Sequence, residues 1–226
     1  ARHATLPVIK VDKKAEKLAV EDTEKALKVG NKAIAAVFCK ETGVMTSLKF
    51  NGQEIINGKD GFMYDNYRFI ENDRSCKPGN GLDSIGTCEI VPSKGGSVIV
   101  KTTRGGQLAS QVITYTFLPN GTMDMDVTLT PQAKELRRAG LVANINPGLR
   151  NVNYWAYGPD ENYNDRKEST MVGRYQTIVD DMVVYYQKPQ SMGNREGLRE
   201  LTLTDAKGKG IRIETQGEVS FSALPY

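Results

Sequence analysis

The chain has 226 residues, 39% of them apolar, with 30 Lys or Arg against 27 Asp or Glu and a formal net charge of +3. That length suits a single all-β domain over residues 1–226, large enough to bury most of its apolar side chains. Interspersed charges of near-equal number exclude the basic footprint of a nucleic-acid binder, and no run approaches the roughly 20 apolar residues of a membrane-spanning helix.

The opening Ala1-Arg-His-Ala lacks a basic stretch followed by an apolar one, so no signal peptide is expected, and the absence of an initiator Met suits a piece of a longer chain. Residues 6–11 alternate enough for a strand, with Val8, Ile9 and Val11 apolar. Residues 13–28 have the Ala, Glu, Lys and Leu content of a helix. Yet Leu18/Val20 and Leu27/Val29 keep a period of two, and this spacing predicts short strands flanking Glu21-Asp22-Thr23. Residues 32–39 and 44–50 are expected to form a hairpin across Glu41-Thr42-Gly43. Asn51-Gly52, the strongest short hairpin signal, then turns the chain into residues 53–56.

Residues 60–83, rich in Gly, Asn, Asp and Arg, break the pattern and read as a long loop, a kind of segment that often carries function. Beyond it the chain is plainly antiparallel: residues 87–91, 97–103 and 110–118 alternate, and Pro119-Asn120-Gly121 turns them into 122–130. There Met123, Met125, Val127 and Leu129 oppose Asp124, Asp126 and Thr128, the pattern of a sheet with one wet side. Asp124 and Asp126 are a conceivable catalytic pair, but on such a face they read as solvated charges. Asn120-Gly-Thr122 fits a glycosylation acceptor and is first of all a hairpin turn.

The sole tryptophan, Trp155, precedes a Gly158-Pro159 bend and the cluster Asp160-Glu-Asn-Tyr-Asn-Asp-Arg166. The polar side chains of that cluster must reach solvent or find partners, so the plain reading is a turn packed against a strand end. Trp155 is expected in the core, where large aromatics bury most surface. Residues 182–187, 197–204 and 210–215 read as further strands, joined by polar turns such as 205–210. Cys39, Cys76 and Cys88 lack CxxC spacing and read as free thiols rather than a metal site. A Cys76–Cys88 pair stays open in an oxidising compartment.

Several of these segments carry a resemblance. Arg138-Ala-Gly-Leu141, Val152-Asn-Tyr-Trp155 and Gly158-Pro-Asp-Glu-Asn-Tyr-Asn-Asp-Arg166 resemble the C-terminal domain of bacterial β-galactosidases of glycoside hydrolase family two, whose GP-x-EN-Y-x-DR form is met at every fixed position. Phe38-Cys-Lys-Glu-Thr-Gly-Val-Met-Thr-Ser-Leu48 with Asn51-Gly-Gln-Glu-Ile-Ile56 is similar to its opening F-x-K-x-TG-x-LTSL…NG-x-EL segment. Lys188-Pro-Gln-Ser-Met-Gly-Asn-Arg195 with Arg199 resembles PQ-x-x-GNR-x-x-x-R, and Phe221-Ser-Ala-Leu224 the FSA-L ending. Asn66-Tyr-Arg68-Phe-Ile-Glu71-Asn72-Asp73 is similar to F-x-RAP-x-DND, with Phe69-Ile70 for Ala-Pro and Glu71 for the first Asp.

The resemblance implies a large antiparallel two-layer supersandwich, galactose-mutarotase-like, that belongs to a parent hydrolysing terminal β-galactosides with retention. Its implied substrate-binding residues are Arg68, Glu71, Asn72 and Asp73, near the mouth of an active site in a preceding barrel domain. Trp155, Gly158, Pro159, Glu161, Asn162, Tyr163, Asp165 and Arg166 form its implied structural motif. Both catalytic glutamates of such a parent lie in the barrel, so no catalytic residue, metal or cofactor is expected here, and any Mg or Na would serve other domains. A further segment, with a tryptophan of the galactose subsite, would follow Tyr226. Implied partners are the barrel, the β-galactoside and a homo-oligomer, with no nucleic acid or membrane. The compartment stays open between bacterial cytoplasm and periplasm.

Two alternatives come from other classes. A stand-alone carbohydrate-binding β-sandwich would use Tyr154, Trp155, Tyr157, Tyr163 and Arg166, rings stacking on sugars and polar groups bonding hydroxyls. An aldose 1-epimerase needs a histidine and a glutamate as acid and base, and the only histidine, His3, sits in a terminus expected to fray.

Overall fold

The computed structural model describes residues 15–58, 61–70, 85–107, 109–132, 136–188 and 190–225. The expected strand at 6–11, His3 and Cys76 lie outside these residues. Those described group into two compact units, one holding the chain up to Arg68 and from residue 85 to Asn146, the other holding Phe69, Ile70 and the chain from Pro147.

In the first unit, β1 (Ala19–Asp22), β2 (Ala26–Gly30), β3 (Ile34–Cys39), β4 (Met45–Phe50) and β5 (Gln53–Glu54) form one antiparallel sheet in sequence order. The period of two at Leu27 and Val29 prevails over helix propensity because both side chains reach the core, at 0% and 2% exposure. The bend between β1 and β2 is closed by Thr23, whose N–H donates to the Ala26 carbonyl at 3.0 Å while its Oγ1 accepts the Ala26 N–H at 3.1 Å. At the β4–β5 turn, Asn51 (φ 48°) and Gly52 (φ 79°) both take the left-handed region that a type I′ turn requires.

β7 (Gly86–Val91), β8 (Val98–Arg104), β9 (Ala109–Phe117) and β10 (Met123–Pro131) build a second antiparallel sheet, ordered β10-β9-β8-β7. Along β10 the Met, Val and Leu residues are half-buried while Asp124, Asp126 and Thr128 are exposed, as the binary pattern requires. The two sheets close over one core. Phe38 of the first sheet meets Tyr115 and Phe117 of the second, ring centroids 5.2 and 6.1 Å apart, in the tilted and edge-on geometries aromatic pairs prefer. This is a two-layer antiparallel sandwich.

The reading of 60–83 as loop needs correction at its start. Met63–Asp65 is a strand, β6, paired antiparallel with β11 (Gly140–Val142). Its length of three residues leaves no periodicity to detect, and its partner lies some 75 positions away in sequence.

The second unit carries a four-stranded antiparallel sheet of β12 (Asn151–Gly158), β13 (Met171–Ile178), β14 (Arg195–Thr204) and β15 (Gly210–Phe221), ordered β13-β12-β14-β15. β13 escapes the sequence pattern because it is an edge strand with no fully buried residue. Residues 182–187 form no strand despite their β-prone Val and Tyr content: Val179–Met182 is a 3₁₀ turn and irregular chain follows. The described residues are all-β, with no α-helix, and none of their helices is long and apolar enough to cross a membrane.

Candidate functional site

The sheet of the second unit decides where the motif residues go. On β12, Val152, Tyr154 and Ala156 point to the buried face at 0%, 4% and 0% exposure. Strand alternation therefore turns Asn151, Asn153, Trp155 and Tyr157 outward. Trp155 is half-buried on that outer face rather than in the core, which corrects the expectation of a core tryptophan. The guanidinium of Arg174 lies 4.8 Å and that of Arg199 5.7 Å from its ring centroid. Arg174 also binds both oxygens of Glu200 at 3.2 and 3.3 Å, so its charge over the ring is held in place.

Past Gly158 the chain bends through a cis Gly158-Pro159 bond into the motif cluster. Asn162, fully buried, ties the corner together. Its Nδ2 donates to the carbonyls of Tyr157 (3.1 Å) and Asp160 (2.9 Å), and its Oδ1 accepts the Glu196 N–H (2.8 Å). Its main chain meets Asn194 twice, N–H to carbonyl at 2.9 Å and carbonyl to side-chain amide at 2.8 Å. A buried amide satisfied on every side fixes one geometry, because any slippage leaves polar groups dry.

Glu161 is the charged centre of the corner, its side chain 5% exposed. One oxygen takes hydrogen bonds from Arg166 (2.5 Å) and from the Tyr186 hydroxyl, and the other takes one from the Gly193 N–H. Arg166 also donates to the Tyr186 oxygen at 2.7 Å and stacks over the rings of Tyr163 and Tyr186, 5.5 and 5.9 Å from their centroids. Bonding to Tyr186 chiefly, with Glu161 contributing, raises the Arg166 pKa against the opposing effect of burial, and burial raises that of Tyr186, so both keep their protons. Gly193 sits at φ 81°, in the left-handed region that favours glycine, while the nearest atom to a Cβ there would be the movable end of the Leu224 side chain at 2.8 Å.

Tyr163 and Arg166 close a tight turn by exchanging main-chain bonds of 3.2 and 2.8 Å, and the Tyr163 hydroxyl donates to the Ser191 carbonyl at 2.9 Å. Asp165 is exposed at the tip. Beneath the turn, Arg195 is 5% exposed and its Nε donates to the Pro159 carbonyl at 3.1 Å, which also accepts the Tyr154 hydroxyl at 3.0 Å. The GP-x-EN and GNR segments, some thirty residues apart in the chain, thus form one hydrogen-bonded corner. Tyr186, which completes the Glu161 site, carries no local sequence signal, since its partner is 25 residues away.

Of the residues implied to bind substrate, Arg68 is half-buried, and Glu71, Asn72 and Asp73 lie outside the described residues. The neighbouring Phe69 exchanges two 2.9 Å bonds with Ser191, its N–H to the serine hydroxyl and its carbonyl from the serine N–H. Cys39 and Cys88 are free thiols. Among the described residues no group of three or more His, Cys, Asp or Glu stands close enough to hold a metal ion.

The sequence matches the family model described as "Beta galactosidase small chain" over residues 30–226. The chain belongs to the β-galactosidase small-chain family. A β-galactosidase of Priestia megaterium is 26% identical over 99% of this chain and 22% of its own length. One of Lactobacillus delbrueckii subsp. bulgaricus is 32% identical over 84% and 20%, and one of Halalkalibacterium halodurans 26% over 85% and 20%. This small-chain sequence spans about a fifth of the length of the curated relatives it matches. The Asn162 and Glu161 corner and the Arg68 segment both fall within the small-chain match.

Proposed function

We propose that this chain is the non-catalytic C-terminal part of a β-galactosidase that hydrolyses terminal β-galactosides with retention. Its work is to shape the mouth of an active site housed in a preceding barrel domain, through the segment 68–73, and to support that barrel or an oligomer interface. The observation that carries the reading is the small-chain match over 30–226, set beside similar β-galactosidases about five times longer. The corner supports it: a retaining glycosidase needs two carboxyls about 5 Å apart with separated proton affinities. Glu161, the enclosed carboxylate of the motif, is instead fully engaged by Arg166, Tyr186 and Gly193.

The deciding experiment compares this chain with the longer polypeptide that contains it, using nitrophenyl β-galactoside as substrate and NMR to follow the anomer released. Turnover with retained configuration is expected from the longer polypeptide and none from the chain alone. Cleavage by the chain alone overturns the proposal. A second reading, a sugar-binding surface, draws on the outward Trp155 ring, but Arg174 and Arg199 already lie over that ring. Galactose titration of the isolated chain tests it.

A further inference from the structure

The segment leading to Arg68 is clamped in an unusual way. On one side β6 pairs with β11, Asp65 opposite Gly140. On the other, a side chain stands in for a missing strand: Gln111 of β9, 3% exposed, accepts the Tyr64 N–H through Oε1 at 2.6 Å and donates from Nε2 to the Phe62 carbonyl at 3.2 Å. A carboxamide has the donor and acceptor of a peptide group, so it satisfies β6 as a neighbouring strand would. Where the ladder ends, Asp65 continues the grip. Its Oδ1 accepts the Tyr67 N–H at 3.0 Å and its Oδ2 is bound by Arg138. The carboxylate thus fixes the main chain one residue before Arg68, and Arg138 fixes the carboxylate by an ion pair in which Asp65 is 21% exposed.

Resting on the reading that Arg68 lines a galactoside site, we propose that Asp65, held by Arg138, is a positioning residue that sets where Arg68 presents its guanidinium to the sugar. Mutual position within a fraction of an ångström governs how well a polar group binds a hydroxyl, and an aspartate that bonds both the chain just past its own strand and the arginine leading into β11 supplies that precision. Arg138 and Gly140 belong to the Arg138-Ala-Gly-Leu141 motif, and this clamp gives that motif a task that its sequence does not reveal.

The test uses the full-length polypeptide that carries this chain, with KM and kcat for nitrophenyl β-galactoside measured alongside Tm, and exposed Asp124→Asn on β10 as the control. Asp65→Ala is expected to raise KM about tenfold with a smaller change in kcat. In the Arg68→Ala background the same substitution is expected to add almost nothing, the mark of two residues acting as one unit. If Asp65→Ala does not fold, Asp65→Asn carries the same KM test, since it keeps an acceptor for Tyr67 but drops the charge facing Arg138. A lowered Tm with unchanged KM makes Asp65 merely structural and overturns the inference. A raised KM in Arg68→Ala beside an unchanged KM in Asp65→Ala also removes the inference while leaving the functional reading intact. An inactive wild-type polypeptide, or an Arg68→Ala variant with unaltered KM, removes that reading and the inference with it.

Discussion

Glu161 shows how one carboxylate organises a corner. With its side chain 5% exposed it depends on Arg166, itself 55% exposed, for a counter-charge. Removing one partner of a buried pair strands the other charge, but the exposed arginine face and the two remaining donors reduce the loss. Arg166→Ala is therefore expected to cost about 1–2 kcal/mol, lowering Tm by about 2–8 °C for a chain of this size. Differential scanning calorimetry measures this, and an unchanged Tm dissociates Arg166 from the corner's stability. The two described thiols differ just as sharply. The Thr42 hydroxyl, more than any other contact, lowers the Cys39 pKa, whereas burial pushes the Cys88 thiol up to about 12. Because the thiolate is the nucleophile, iodoacetamide near pH 8 is expected to label Cys39 well before Cys88 in the native protein. Equal rates by peptide mass mapping would contradict the burial of Cys88.

Among the elements, β6 is the one whose existence depends most on tertiary contacts. Neither its three residues nor those of β11 carry a usable period, and Gln111 replaces a whole strand on one side. Gln111→Leu leaves the Tyr64 N–H and the Phe62 carbonyl without acceptor and donor, at about 1–3 kcal/mol each when they stay dry. The expected outcome is faster hydrogen exchange at the Tyr64 amide, with β8, β9 and β10 retaining their protection. Slow exchange at Tyr64 in the variant would show that β11 alone holds the strand. β12 carries a lesson of the opposite kind. Its outward asparagines, Asn151 and Asn153, mark the wet face in the sequence itself, and Trp155 shares their parity. Weighing the ring's size above the alternation is what places it wrongly in the core. β13 stays hidden for a different reason: with no fully buried residue on either face, its alternation divides nothing apolar from anything polar.

For the whole molecule, the two-sheet core bears on alkaline stability. Cys88 and Tyr115 both belong to the core cluster, and burial is the first cause of the raised pKa of each. An acid held neutral in the fold is protonated in both states below its unfolded pKa, so it makes no difference there. Above it the unfolded chain releases a proton that the folded chain keeps, and stability falls with rising pH. From the ordinary 9.0 of a thiol up to about 12, where Cys88 titrates in the fold, denaturant midpoints are expected to fall steadily, with Tyr115 adding to the fall above its ordinary 10.0. Cys88→Ala or Cys88→Val would flatten the first part of that slope, and an unaltered slope would rule out the thiol as its source. The sequence by itself determined the antiparallel β class, the type I′ turn at Asn51-Gly52 and the wet face of β10, because each depends on residues a few positions apart whose side chains alternate or whose torsions are restricted. It also carried the family, through short ordered motifs. Only the tertiary structure decided that Glu161 meets Tyr186 and Gly193, that Asn162 locks onto Asn194, that Gln111 stands in for a strand and that Asp65 grips the approach to Arg68. Those partners lie 25 to 73 residues apart, and hydrogen bonds over such spans are set by how strands are ordered in a sheet, which no local period encodes.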